Sequence, residues 1–154
     1  MRGEDQFHLG IVAEDFEGTL ASLSAAFGYE WCAEISGPLN VTLPTGDAVV
    51  RLSCVYSRTS PRLEILRNIP GTLWEAAPGG GVHHVGYWSD DVAADCAGLT
   101  GLGYTVEASR IGSAGSDFAF LRGPGGVLVE LVDRAAQPML EKFWAEGADE
   151  GGTA

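Results

Sequence analysis

The sequence predicts an α+β fold in which two βαβββ modules form an open, cup-shaped mixed β-sheet. Three observations predict it. First, the opening Phe7-His8-Leu9-Gly10-Ile11-Val12-Ala13-Glu14-Asp15 is answered by His83-His84-Val85-Gly86-Tyr87-Trp88-Ser89-Asp90-Asp91. His8 and His84, Gly10 and Gly86, Asp15 and Asp91, and Leu23 and Leu99 all stand 76 positions apart. Second, both halves read in the order strand, helix, strand, strand, strand. Third, each half closes on an apolar strand carrying one acid, Leu63-Glu64-Ile65-Leu66 and Val127-Leu128-Val129-Glu130-Leu131-Val132. A four-stranded sheet with one helix covers only one of its faces. Two such sheets meeting at an edge leave a concave face for a ligand.

The elements follow in order. Residues 1–6 form a polar N-terminal tail, and module one spans 7–67. Residues 7–13 alternate and read as a strand. Asp15 is placed to cap a helix with the apolar stripe Phe16, Leu20, Leu23 and Phe27, and Gly28 stops it. Residues 31–35 and 47–56 read as strands, split by turn material at Gly37-Pro38 and Pro44-Thr45-Gly46. Residues 63–66 give the fourth strand. The linker 68–81 holds Pro70, Pro78 and three consecutive glycines, with Trp74 expected to pack a short helical turn onto the core.

Module two, 82–134, repeats the order: a strand over 82–88, a helix over 91–100, and a stop at Gly101 to Gly103. Strands follow at 104–110, 117–121 and 127–132, the last hairpin turning on Gly123-Pro124-Gly125-Gly126. The C-terminal segment 135–154 carries a short helix over 138–144 and then a flexible, Gly- and acid-rich tail.

Composition narrows the partners. A formal net charge of −12, with nine scattered Lys and Arg, argues against a nucleic-acid or anionic-membrane partner. No apolar run approaches the roughly 18 residues of a membrane span. The polar, acidic start does not read as a signal peptide. Cys32, Cys54 and Cys96 are odd in number and widely spaced, and are expected to be reduced, buried thiols of a cytoplasmic protein.

Side chains alternate across a strand, so His8 and Gly10 share one face while Leu9 and Ile11 share the other. His84, Gly86 and Trp88 likewise lie together. If the apolar sets pack under the helices, both histidines point into the cup. Glu64 lies between Leu63 and Ile65, and Glu130 between Val129 and Leu131, so each acid also faces the cup. A single strand histidine is ordinarily a satisfied core or surface residue, and a single strand glutamate sits on a solvated face. The recurrence of both types in both halves argues for a shared role. Two carboxylates buried together are costly, and a divalent cation removes that cost. The mixed N/O set of His8, Glu64, His84 and Glu130 suits Zn, Fe, Mn, Co or Ni. Parity places His83 on the Val85/Tyr87 face, outside the set.

The chain resembles the vicinal oxygen chelate superfamily, which includes glyoxalase I, methylmalonyl-CoA epimerase, fosfomycin-resistance enzymes, extradiol dioxygenases and bleomycin-binding proteins. The resemblance covers about 7–134 and is carried by His8-Leu9-Gly10-Ile11-Val12, Leu63-Glu64-Ile65-Leu66, His84-Val85-Gly86 and the segment Phe120 to Val132. It implies a single-chain, two-module member with His8, Glu64, His84 and Glu130 at the metal positions, and often a homodimer. It also implies a metal that chelates two adjacent oxygens of a small-molecule substrate. No subfamily is selected. The epimerases carry a glutamate base in the segment corresponding to 43–46, where this chain offers Thr45 and the nearby Asp47.

The functional expectation is a metal-dependent enzyme with lyase- or isomerase-like chemistry on a small oxygenated substrate, Glu64 or Glu130 shuttling a proton as the catalytic group. Trp88, Phe118, Phe120 and Tyr56 are the expected pocket residues, and one of Arg51, Arg62 and Arg122 is a candidate carboxylate binder. The alternatives are a ring-cleaving dioxygenase, if iron is bound, and a non-catalytic, drug-sequestering binding protein.

Overall fold

The two halves meet along the strands that open them. The computed structural model describes residues 1–112 and 115–146. Strand β1 (Gln6–Ala13) pairs antiparallel with β5 (His84–Ser89). On its other side β1 pairs parallel with β4 (Leu63–Arg67), just as β5 pairs parallel with β8 (Leu128–Asp133). Strands β3 (Gly46–Tyr56) and β2 (Ile35–Leu43) complete module one, and β7 (Phe118–Arg122) and β6 (Thr105–Arg110) complete module two. The ring order is β1-β4-β3-β2-β6-β7-β8-β5. The cup is drawn closed at its far lip, where β2 meets β6 through the single pair Thr42 and Ser109.

Each module lays its helix over the outer face of its sheet. Helix α1 (Phe16–Phe27) starts at Asp15, whose side chain accepts from the Gly18 N–H. Helix α2 (Val92–Gly101) starts at Asp91, which accepts from the Ala94 N–H. Both caps satisfy donors that a helix end leaves free. Gly28 ends α1 in the left-handed region, φ 73°. Phe16, with Leu20 and Leu23, packs on Val55, Leu63 and Ile65, and Val92 and Cys96 pack on Ala119, Leu121 and Leu131. Phe27 lies outside the expected stripe: it is the last residue of α1 and is 75% exposed.

The third core fills the inside of the ring, including Val12, Val41, Val50, Cys54, Tyr56, Leu66, Trp88, Phe118 and Phe120. The linker contributes Trp74, fully buried and edge-on to Phe120, with ring centres 5.5 Å apart. Trp74 is held by a turn and not by the helical turn expected: its N–H meets Thr72 Oγ1 and its carbonyl accepts from the Ile69 N–H. Helix α3 (Gln137–Glu146) closes one mouth of the ring with Trp144, which lies near Phe7, Tyr56 and Trp88.

The strand expected over 31–35 is absent. Trp31 makes only a bridge to Ser57, and the strand begins at Ile35 and runs through Gly37 and Pro38. Proline lacks an N–H, which disqualifies it from a central strand but not from this one, whose β6 side is paired only at Thr42. Cys32, Cys54 and Cys96 are free and buried. Among the described residues no helix is long and apolar enough to cross a membrane. The tail expected over 147–154 lies outside the described residues.

Candidate metal centre

Strand register brings the four predicted residues together. Gly10 lies opposite Glu64 on β4 and opposite His84 on β5. Gly86 lies opposite Glu130 on β8 and opposite His8 on β1. Each glycine is thus flanked by one imidazole and one carboxylate, all facing inward. Neither glycine has room for a side chain: a Cβ on Gly10 would stand 1.9 Å from His84 Cε1, and one on Gly86 1.9 Å from His8 Cε1.

The ligand-type atoms converge on one point. His8 Nε2 and His84 Nε2 are 2.9 Å apart. Glu64 Oε2 is 3.4 Å from His8 Nε2 and 3.2 Å from His84 Nε2, and Glu130 Oε2 is 3.2 and 3.4 Å from the same two atoms. All four atoms lie within 4.8 Å of one another. A cation about 2.1 Å from each donor places neighbouring donors roughly 3.0 Å apart in an octahedral set and 3.4 Å in a tetrahedral one. The five separations given above run from 2.9 to 3.4 Å, close to that range. Glu130 Oε2 is buried yet makes no hydrogen bond with any described residue, as suits an atom aimed at the shared centre. The donor set therefore fits a divalent ion.

The charges of the cluster act on one another largely out of contact with the surface. Both imidazoles are 1% exposed and Glu64 5%. Burial opposes charge on His84, but the carboxylates of Glu130 and Glu64 outweigh it and lift its pKa to about 9. The same balance raises His8. Burial likewise opposes ionisation of Glu64, but His8 and His84 hold it well below the usual carboxylate range.

The expected pocket residues divide. Phe120 stands edge-on to His84, ring centres 5.1 Å apart, and Tyr56 edge-on to His8 at 5.8 Å. Tyr56 also lies opposite Glu64 in the β3–β4 pairing. Burial, with the charge of Glu64 beside it, pushes the Tyr56 phenol well above its ordinary pKa, so it keeps its proton and offers an O–H to a hydrogen-bond acceptor. Trp88 stacks on Phe7, ring centres 3.7 Å apart, and lines with His8, Arg62 and Trp144 a cavity of about 380 Å³ under α3. Phe118 packs on Phe120 and under the Arg110 guanidinium. Of the arginines considered, Arg122 is paired with Glu107 and Arg51 is exposed, whereas Arg62 donates to the Ser57 carbonyl and covers Trp144.

One residue at the centre escaped the sequence. His83 turns toward the cluster, Nδ1 3.0 Å from His84 Nδ1, and its other ring nitrogen meets the Leu73 carbonyl. Parity failed because β5 begins only at His84, so His83 precedes the alternating backbone. The adjacent His83-His84 pair was the available signal.

Comparison with known proteins agrees with this geometry. The sequence profile of the Glyoxalase/Bleomycin resistance protein/Dioxygenase superfamily matches residues 7–120. The chain belongs to this superfamily. The match runs from β1 into β7, so the superfamily resemblance and the glyoxalase-like fold expected from the sequence are borne out. No curated protein matches the chain. Among solved structures, a variant of Streptomyces coelicolor methylmalonyl-CoA epimerase in complex with 2-nitronate-propionyl-CoA is 30% identical, with a TM-score of 0.59 over 86% of this chain and 95% of that one. A methylmalonyl-CoA epimerase in complex with methylmalonyl-CoA and NH4+ is 29% identical, TM-score 0.59, with the same coverage of 86% and 95%. The Mycobacterium tuberculosis methylmalonyl-CoA epimerase, 20% identical with a TM-score of 0.58 over 88% and 91% of the two chains, shows the shared superfamily fold.

Proposed function

We propose that the protein is a metal-dependent enzyme of isomerase type acting on a small oxygenated substrate, with acyl-coenzyme A thioesters as the first candidates. The observation that carries this reading is the convergence of His8, Glu64, His84 and Glu130 on one buried point. The similarity to epimerases solved with coenzyme A esters supports the substrate class. The four side chains would hold a divalent ion, with Zn, Fe, Mn, Co and Ni the candidates. When bound, such an ion supplies positive charge where a substrate oxygen gains negative charge.

The chain's own residues then have distinct tasks. An epimerisation takes a proton from one face of a carbon and returns one to the other. Glu64 and Glu130 come from opposite modules and approach the centre from opposite sides, so each can serve one face. The β2–β3 turn does not supply an alternative base: Asp47 accepts from Thr42 Oγ1 on the exposed lip. Tyr56 and Phe120 would border the substrate, the phenol donating and the ring excluding water. A ring-cleaving ferrous site is disfavoured, since such sites use two histidines and one carboxylate and here both carboxylates stand equally close to the imidazoles.

The test is proton exchange. Metal-loaded protein incubated with methylmalonyl-CoA in deuterated water should exchange the hydrogen between the two carbonyls, followed by NMR. Exchange should vanish with chelator and in the His8→Ala, His84→Ala double variant, and fall roughly 100-fold or more in Glu64→Gln or Glu130→Gln. Metal-loaded protein inert toward methylmalonyl-CoA, 2-oxo thioesters and hemithioacetals would overturn the reading. Tight binding of apolar compounds without metal would replace it with the drug-sequestering alternative.

A further inference from the structure

His83 connects the linker to the candidate centre through a chain of contacts whose proton positions can be deduced. His83 Nε2 is 2.7 Å from the Leu73 carbonyl oxygen, and His83 Nδ1 is 3.0 Å from His84 Nδ1. A carbonyl only accepts, so His83 Nε2 carries a proton. A second proton, on His83 Nδ1, would point at the His84 ring and the cation behind it, a like-charge arrangement. His83 Nδ1 therefore accepts, and His84 Nδ1–H donates. That leaves the lone pair of His84 on Nε2, the nitrogen that faces His8 Nε2, Glu64 Oε2 and Glu130 Oε2.

We propose that His83 is a positioning residue that locks His84 in the Nδ1-protonated tautomer and so presents His84 Nε2 to a divalent cation. The inference rests on the metal-binding reading above. Its anchor is firm at both ends. Leu73 precedes the buried Trp74, whose carbonyl is tied to the Ile69 N–H, and the His83 backbone N–H donates to the Gly10 carbonyl at 2.7 Å. Packing fixes the Leu73 carbonyl, the carbonyl orients His83, and His83 orients His84. The molecule contains its own control. His8 Nδ1 has no hydrogen-bond partner among the described residues, so its ring is placed by Phe7, Tyr56 and the gap over Gly86. The two imidazoles are equivalent toward the centre and unlike behind it.

The experiment uses zinc as probe, with the full chain as wild type, His83→Ala and His83→Gln. Zinc affinity is read by competition with a chromophoric chelator, and imidazole protonation by long-range nitrogen–proton NMR on the zinc-loaded proteins. The wild type should show a slowly exchanging proton on His84 Nδ1 and a faster one on His8 Nδ1. His83→Ala should weaken zinc binding about 10–100-fold and speed exchange of the His84 proton. In His83→Gln the amide can donate to Leu73 and accept from His84, so most of the affinity should return. A purely structural role would lower thermal stability without moving the proton pattern. Wild-type zinc affinity in His83→Ala, equal losses in both variants, or a proton on His84 Nε2 would each overturn the assignment while leaving the metal site standing. Absence of zinc uptake by the wild type would overturn both. If His83→Ala does not fold, the wild-type spectrum and His83→Gln decide the matter.

Discussion

The His8 imidazole occupies the space that a side chain on Gly86 would need, with its Cε1 atom 1.9 Å from the position of a Cβ there. Gly10 and His84 stand in the same relation. Gly86→Ala or Gly10→Ala must therefore move an imidazole off the centre. Each is expected to cost about 1–3 kcal/mol by overpacking and to abolish stoichiometric zinc binding. Elemental analysis and thermal unfolding check this; full zinc content in either variant would contradict it.

Metal uptake should depend on pH in a defined direction. His84, lifted from the ordinary 6.5 to about 9, and His8, also raised, hold protons that an incoming cation must displace. Zinc affinity should climb as the pH rises through about 9. The metal-free fold should respond oppositely: stability contributed by protonated His84 is fully present below 6.5 and lost as the pH rises through about 9. Calorimetric zinc titrations, and melting of chelated protein at either end of that range, measure the two slopes.

Trp144 should anchor α3. It is 6% exposed, packs near Phe7, Tyr56 and Trp88, and lies 3.8 Å beneath the Arg62 guanidinium. Trp144→Ala is expected to destabilise by about 3–5 kcal/mol, and Trp144→Phe by clearly less. Chemical denaturation with an unchanged slope would confirm a loss of packing; an alanine variant as stable as wild type would show that α3 does not hold this mouth.

The two helix caps offer a symmetrical test. Asp15→Ala and Asp91→Ala each remove one acceptor from a helix start, at about 1 kcal/mol apiece. The caps belong to separate modules, so the double variant should show the sum. A marked departure from additivity in denaturant unfolding would mean that the modules do not behave independently at their surfaces.

The fold was readable wherever duplication and alternation coincided. The 76-residue offset located both His–Gly strands and both capping aspartates, and parity sent Glu64 and Glu130 inward. What escaped had no local signature. Gly37-Pro38 has turn composition, yet it lies within β2 because the other edge of that strand is almost unpaired. Phe27 keeps helical spacing but, as the last residue of α1, stays outside the core that Phe16, Leu20 and Leu23 join. The turn of His83 toward His84 depends on where β5 starts and on a carbonyl ten residues earlier, a tertiary fact that periodicity does not carry.

The antiparallel register of β1 with β5 sets His8 opposite Gly86 and Gly10 opposite His84. Each half contributes half of the donors, and the halves join through the β1–β5 pairing, the glycine gaps and the shared inner core. Rebuilding the quartet from two molecules takes a whole second half, since His84 comes on β5 and Glu130 on β8. Two chains that exchanged whole halves would re-form both quartets, each from donors of both molecules.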